Sequence, residues 1–325
     1  MTALQYELAI IIPVYNEGEN IAKHFSIINE VLINDNIHPA FMLVDDGSTD
    51  NTWQYLEQLQ KSYDKVTILK FSRNFGKELA ICAGLDNISA KKYIIMDSDL
   101  QHPPRYIKDM LKLMETTGAD IVEGVKESRG KESLKYKLIA KSFYRLLKAT
   151  TGLELDNSSD FKLIDSRVVE VVREFNERSL LFRGIVDWVG FHKEQLPFTV
   201  EDRADGTTKF STRRLIQLAF NAIISHTSKP LYLTLAGGAF FFLLAVVLGI
   251  QTLYNYFNKT AVSGFSTVIL LILLTGSMIL ISLGIIGVYL SRIFDEIKRR
   301  PRYIVAGIKT PETVKRLKNE STFKE

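Results

Sequence analysis

The sequence predicts an α/β domain on a mostly parallel sheet with helices on both faces, followed by a two-helix transmembrane hairpin. Two observations carry this. Short apolar runs alternate with amphipathic stretches over the first 130 residues, which is the β-α-β-α rhythm of a parallel sheet. Two uncharged apolar runs follow, at 231–253 and 265–290. Each is long enough to cross the roughly 30 Å hydrocarbon core at about 1.5 Å per residue.

The elements fall in order. The run L-A-I-I-I-P-V predicts a strand at 8–14, and further apolar runs predict strands at 41–44, 66–71, 93–96 and 121–125. Helical stretches lie between them at 20–31, 52–63, 77–87 and 104–116. Residues 210–227 precede the first apolar run. Leu215, Ile216, Ala219, Phe220, Ile223 and Ile224 recur there at helical spacing, with Arg213, Arg214 and Gln217 elsewhere. That reads as an amphipathic helix at the membrane interface, or as an ordinary helix packed on the globular domain.

Lys209, Arg213, Arg214 and Lys229 precede the first apolar run, and Arg292, Lys298, Arg299, Arg300 and Arg302 follow the second. The connection between the runs holds only Lys259. The positive-inside rule puts both flanks in the cytoplasm. The expected organisation is a cytoplasmic domain at 1–209, an interfacial helix at 210–228, two spans within 229–292 and a polar tail at 293–325, surface-lying or disordered. A pair of buried helices in a soluble core is the alternative, but such helices are usually shorter and broken by polar residues.

Composition narrows the function. A net charge of +4 over 325 residues gives no argument for nucleic acid. The single cysteine, Cys82, excludes a disulfide framework and points to a reducing compartment. The first apolar run follows Glu7 rather than a basic stretch, so no signal peptide is expected. There is no G-x-G-x-x-G after the first strand and no G-x-x-x-x-G-K-[ST], which disfavours a dinucleotide site and a P-loop.

The most informative local feature is Asp97-Ser98-Asp99, two carboxylates at the end of an apolar strand. Such a pair invites an offsetting cation, and hard oxygen ligands suit Mg2+ or Mn2+ with phosphate oxygens completing the shell. Other polar residues leave the same sheet edge: Tyr15, Asn16 and Glu17, Asp45 and Asp46, and Arg73 and Asn74. Asp46-Gly47-Ser48-Thr49-Asp50 alone is equally a turn and helix cap. Four polar exits at the carboxyl ends of one sheet favour a ligand cleft. A basic cluster, Lys126, Arg129, Lys131, Lys135 and Lys137, follows the fifth strand and could hold a phosphate or lie solvated against lipid.

Together, P-V-Y-N-E (13–17), V-D-D-G-S-T-D (44–50), F-S-R-N-F-G-K (71–77), D-S-D-L-Q-H-P-P (97–104) and S-S-D-F-K-L-I-D (158–165) resemble a family 2, GT-A-fold glycosyltransferase. Their order is similar to the polyprenyl-phosphate hexose transferases of the dolichol-phosphate mannose synthase group. The two spans resemble the bacterial undecaprenyl-phosphate glucosyltransferase branch, and the likeness covers about residues 5 to 305.

The resemblance implies a Rossmann-like catalytic domain. Pro13, Tyr15, Glu17, Val44 and Asp46 would cradle the nucleoside of a nucleotide sugar. Asp99 and Gln101 would hold the metal, with Asp97 and Ser98 beside the diphosphate and sugar. Asp160 would lie near the acceptor oxygen, making Asp97, Asp99 and Asp160 the catalytic set. Arg203 and Lys209 would sit on a loop closing over the donor phosphates. Apart from the resemblance, the basic cluster after the fifth strand offers Lys126, Arg129 and Lys137 for the acceptor phosphate. Two positions depart from many relatives: His102, where Asp is common, and Lys162, where Arg is common. His102 reads as a surface histidine before two prolines, or as a modulator of metal affinity.

The implied reaction is inverting, metal-dependent transfer of a hexose, glucose from UDP-glucose, to undecaprenyl phosphate at the bacterial plasma membrane. A lipid monophosphate is mostly dianionic at pH 7, so it scarcely needs a general base, and Asp160 is expected to position the attack. GDP-mannose, a UDP-N-acetylhexosamine and UDP-4-amino-arabinose derivatives remain alternative donors. A non-catalytic membrane-anchored nucleotide-binding subunit is the alternative of another class. Glycines at 237, 238, 249, 276, 284 and 287 permit close helix packing, compatible with a homo-oligomer.

Overall fold

The computed structural model describes residues 6–126, 158–175, 182–199, 229–258, 264–298 and 300–311. The chain divides into two compact units. One comprises Met1–Lys148, Leu153–Lys209 and Pro301–Glu325, and the other Ala149–Gly152 with Phe210–Arg300.

In the first unit the chain runs β1 (Tyr6–Val14), α1 (Asn20–Asn34), β2 (Ala40–Asp45), α2 (Thr52–Ser62), β3 (Val66–Phe71), α3 (Lys77–Asn87) and β4 (Ala90–Ile95). A single 3-10 turn (Pro104–Tyr106) leads into α4 (Ile107–Thr117), then β5 (Ile121–Lys126). β6 (Ser158–Asp165), α5 (Ser166–Glu174), α6 (Phe182–Trp188) and β7 (Lys193–Phe198) complete the run before the apolar helices. Every strand and helix expected over the first 130 residues is present, within about three residues at each end.

The eight strands form one sheet in the order β7-β5-β6-β4-β1-β2-β3-β8. Four consecutive strands of the sheet, β4-β1-β2-β3, are parallel throughout. β6 enters antiparallel between β4 and β5. Because side chains alternate along a strand, each buried strand serves two cores. Ala9 and Ile11 of β1 face a cluster with Ala80, Ala83, Val168 and Phe182 from α3, α5 and α6. Ile10 and Ile12 face the opposite cluster, with Phe25, Ile28, Leu56 and Met110 from α1, α2 and α4.

Three strands were not expected from sequence. β6 shows no apolar alternation because Asp160 and Lys162, both buried, project to the same face. Their burial is compensated by partners on other elements, which no local pattern can announce. β7 is an edge strand of partly exposed residues, K-E-Q-L-P-F. β8 (Val305–Lys309) makes the first part of the tail an ordered surface strand, antiparallel to β3. It is mostly exposed, so its sequence carries little of the apolar pattern that marks a buried strand.

The second unit holds α7 (Lys229–Phe257) and α8 (Phe265–Ile297). Each contains a window of membrane-spanning length, Thr234–Asn255 with mean hydropathy 2.0 and Leu271–Ile297 with 2.5. Neither window buries its side chains within the chain, unlike the mostly buried core helix of a soluble protein. The two helices meet at Gly237, where an added Cβ would collide with the Met278 side chain. The expected interfacial helix at 210–228 lies outside the described residues.

α3 approaches the sheet closely at Gly84, where an added Cβ would sit 2.4 Å from Cγ2 of Ile11. Helix propensity alone favours alanine there by about 1 kcal/mol. The clash with a packed strand residue costs about 1–3 kcal/mol and should win. Gly84→Ala is therefore expected to lower the unfolding midpoint in denaturant; a raised midpoint would show that Ile11 yields.

Candidate active site

The loops leaving β1, β2 and β3 are stitched into one wall. Asn16 adopts φ 52°, which asparagine tolerates better than most residues. Its backbone N–H donates to Ser48 Oγ at 2.9 Å, and its Oδ1 accepts the Thr49 N–H at 2.9 Å. The Gly18 N–H donates to Thr52 Oγ1 at 2.8 Å. Asp46 accepts the N–H groups of Phe75 at 2.7 Å and Gly76 at 2.9 Å, tying the β2 exit to the β3 exit. Burial raises the Asp46 pKa against these bonds. Gly47, at φ 67°, lies so close to Arg73 that a Cβ would sit 2.3 Å from the Arg73 carbonyl carbon. Only glycine fits both demands.

The Asp97–Gln101 loop closes the other side. Ser98 Oγ donates to Glu17 Oε1 at 3.1 Å, linking the β4 exit to the β1 exit. Leu100 is held at φ 61°, a costly conformation for a leucine. Asp99 is exposed, and its Oδ1 accepts the Gln101 N–H at 3.1 Å. His102 is not on the surface, as the sequence suggested, but 3% exposed. Its Nδ1 accepts the Asp97 N–H at 3.0 Å, and its ring stacks on Phe161 at 5.2 Å. Burial pushes its pKa down to about 4, so the ring is neutral at pH 7. His102 thus pins the start of the loop to β6 by packing and one hydrogen bond.

A line of alternating charges runs inward from this loop. Lys77, the first residue of α3, places Nζ 2.5 Å from Asp97 Oδ1 and 2.5 Å from Asp160 Oδ2. Arg183 grips Asp160 from α6, Nε to Oδ1 at 2.5 Å and Nη2 to Oδ2 at 2.8 Å. Asp160 itself is 2% exposed. Burial works to raise its pKa, but Arg183 and Lys77 outweigh it and hold the carboxyl well below the usual range. Behind Arg183, Glu78 accepts the Phe182 N–H at 2.8 Å. Burial, then the charge of Asp160, push Glu78 up to about 7.

A cleft lined by Pro13, Val14, Tyr15, Glu17, Asp46, Lys77, Asp97, Ser98 and Asp99 opens at this edge. Six of the expected donor-binding residues therefore converge: Pro13, Tyr15, Glu17, Asp46, Asp97 and Ser98. Val44 does not line it; its side chain is fully buried in the core on the α3 side of the sheet. Asp160 lies behind Lys77 rather than on the cleft wall. Lys126 is half-buried at the end of β5, where burial lowers its pKa while Asp97 and Asp99 work to raise it. Arg129, Lys137, Arg203 and Lys209 lie outside the described residues.

Lys162, the other departure from the family pattern, is fully buried and pairs with Glu123, its register partner across β5 and β6. Lys193 extends this pairing, 3.5 Å from Glu123 and 2.5 Å from Asp187.

Sequence reasoning missed Lys77, Glu78 and Arg183. Lys77 ends the F-S-R-N-F-G-K motif at a strand exit, which was a usable signal. Arg183 lies on a seven-residue helix far along the chain, and nothing local marked it.

Among the described residues, no group of three or more His, Cys, Asp or Glu side chains could hold a metal ion. The exposed Asp99 carboxylate offers a hard oxygen ligand on the cleft wall, and Gln101, two residues on, does not line the cleft but offers its amide oxygen from the same loop. That set leaves most coordination positions to substrate and water, which fits Mg2+ or Mn2+ on a diphosphate. Asp97 Oδ1 adds a second carboxylate oxygen, buried and without an aligned hydrogen bond despite the nearby Lys77 charge.

The raised Glu78 pKa sets a pH dependence. Folded Glu78 keeps a proton that the unfolded chain releases above about pH 4.4. Its contribution to stability is full below that pH and is lost as pH rises through about 7. The loss is on the order of 3 to 4 kcal/mol. Between pH 5 and 8 the unfolding midpoint of the wild type is expected to fall relative to that of Glu78→Gln, which has no proton to lose. Parallel curves would place Glu78 at an ordinary pKa.

Residues 9–173 match the family model described as glycosyl transferase family 2. An uncharacterized glycosyltransferase of Bacillus subtilis, YkcC, is 33% identical, over 93% of each chain. A prophage-derived bactoprenol glucosyl transferase of Shigella flexneri is 33% identical, over 92% of this chain and 97% of its own. Glucosyl-3-phosphoglycerate synthase of Mycobacterium tuberculosis, solved with Mn2+ and UDP-glucose, aligns with a TM-score of 0.48 at 17% identity, covering 68% of this chain and 77% of that one. By the family match and these near full-length relatives, the chain belongs to glycosyl transferase family 2 and is a glycosyltransferase.

Proposed function

We propose that this enzyme transfers glucose from UDP-glucose to undecaprenyl phosphate, with inversion and with a divalent metal ion, at the cytoplasmic face of a bacterial plasma membrane. The observation that carries the reading is the presence, in one chain, of a carboxylate-lined cleft and two membrane-length helices. A polyprenyl chain stays in the bilayer with its phosphate at the interface. An enzyme fixed there gains effective concentration over a diffusing one. The relative named a bactoprenol glucosyl transferase supports the same acceptor class.

Asp99 and Gln101 would hold the ion, which would neutralise the diphosphate leaving group as a Lewis acid. Tyr15, 45% exposed at the cleft, offers a face for the nucleobase. Glu17 and Ser98, already joined, and Asp97 would orient the donor's sugar and ribose hydroxyls. Lys126 is the described member of the basic set suited to the acceptor phosphate. Asp160 stays ionised between Arg183 and Lys77, so it is a poor proton acceptor. A dianionic phosphate needs none, and direct attack at the anomeric carbon inverts it.

Purified protein with Mg2+, undecaprenyl phosphate and a panel of labelled nucleotide sugars should form a lipid-linked sugar from UDP-glucose. Preference for GDP-mannose, a UDP-N-acetylhexosamine or a UDP-4-amino-arabinose derivative would change the donor, and no product from any would remove the reading. Chelation should abolish turnover. Asp99→Ala should lower kcat at least 100-fold without moving the melting temperature; full activity would take Asp99 out of the metal grip.

A further inference from the structure

The charged line behind Lys77 forms a closed ring, and it ends at the cleft. We propose that Arg183 and Glu78 are positioning residues for glycosyl transfer. They act through Asp160 on Lys77, whose ammonium meets an anionic phosphate oxygen of the substrates. The inference rests on the phosphate-handling reading above.

A lysine is a flexible four-carbon stem and needs an anchor to present its charge at one place. Lys77 makes a hydrogen bond to Asp160 Oδ2 at 2.5 Å. Its contact with Asp97 Oδ1 is equally close but is an ion pair without hydrogen-bond alignment. Lys77 thus bridges the two carboxylates, with its aligned hydrogen bond on the Asp160 side. An ammonium has three protons, and Lys77 is 38% exposed on the cleft wall, so a ligand engaging Asp97 meets a charge already in place.

Asp160 can anchor Lys77 only if its own carboxylate plane is fixed. Arg183 fixes it with a two-point fork, and that geometry aims Oδ2 at Lys77. Arg183 is in turn seated by its own helix, α6, whose first N–H is taken by Glu78. Glu78 follows Lys77 in α3. The ring Lys77, Asp160, Arg183, Phe182 backbone, Glu78 therefore closes through the peptide links Phe182–Arg183 and Lys77–Glu78. A structural ion pair alone would not need to end at the cleft.

The test uses full-length protein in detergent with Lys77→Met, Arg183→Met and the double variant, reading kcat, KM for undecaprenyl phosphate and the Kd of UDP. Each single change should lower kcat/KM at least tenfold, and the double should fall no more than threefold below the weaker single. Losses that multiply, or no loss in either single variant, overturn the proposal. A parallel loss of UDP affinity assigns the contact to the donor diphosphate; unchanged UDP affinity with a raised lipid KM assigns it to the acceptor. Glu78→Gln, which keeps an acceptor for Phe182, should recover at least half of what Glu78→Ala loses; equal losses overturn the part given to Glu78. If Arg183→Met does not fold, Arg183→Lys takes its place in the cycle. If wild type transfers no sugar from any donor, the proposed function fails on its own. The same cycle is then read on the affinities for UDP and for undecaprenyl phosphate, where coupled losses in either support the ring and independent losses, or none in both, overturn it.

Discussion

A carboxylate on an interior strand, almost sealed from water, survives only because two cations reach it from different helices. Asp160 is that carboxylate, with Lys77 from α3 and Arg183 from α6 as its partners. Removing either cation leaves a buried charge undercompensated, at about 3–5 kcal/mol for a broken buried pair. The constraint shapes the elements around it. α3 must begin where β3 ends so that Lys77 reaches inward, and α6 must lie against the same face of the sheet. β6 must run beside β4 so that Asp160 stands below Asp97. The antiparallel insertion of β6 into a parallel sheet puts it there.

The same face of β6 carries a second buried charge, Lys162, two residues from Asp160. Its partner Glu123 sits directly across on β5, and Lys193 and Asp187 complete the pairing. One strand therefore holds an anion and a cation on one buried face, each compensated from a different direction. Such pairs add little net stability compared with apolar packing. Their value is geometric, because each has only one arrangement in which every charge is met.

This explains what was legible in the sequence. Parallel strands buried on both faces are near-continuous apolar runs, so β1 to β5 could be read directly. α1, α2 and α4 could be read because each presents one apolar face, whereas α3 is buried on several sides and reads as a helix from its Ala- and Leu-containing composition. The cleft residues within 13 to 17, Asp46 and those from 97 to 99 could be read because they leave strands at one edge. Arg183 and Glu78 could not, since their roles come from contacts made across 105 positions of sequence (183 minus 78). His102 was misread for a related reason: its burial depends on Phe161 and Phe198, which come from strands distant in the chain. β8 was missed because an edge strand exposes most of its side chains. It is held instead by backbone pairing to β3 and by the residues just before it. Arg302 donates to the Phe175 carbonyl at 2.7 Å, and Tyr303 donates to Asp86 at 2.7 Å while stacking on Phe71.

The charge arrangement also bears on how a phosphate nucleophile can be used without a base. Asp97, Lys77, Asp160 and Arg183 sum to zero, and Glu78 titrates near neutrality beside them. A site built to remove a proton needs a group whose pKa lies near the working pH and which faces the reacting atom. Asp160 meets neither condition: its pKa is far too low, and Lys77 stands between it and the cleft. A site built to bring two anions together needs fixed positive charge whose own counter-charge is already buried behind it. Lys77 meets that description, because Asp160 and Arg183 settle its electrostatic cost before any ligand arrives. The carboxylates at 97 and 99 are then left for the donor, and the buried one behind them serves to hold a cation in place.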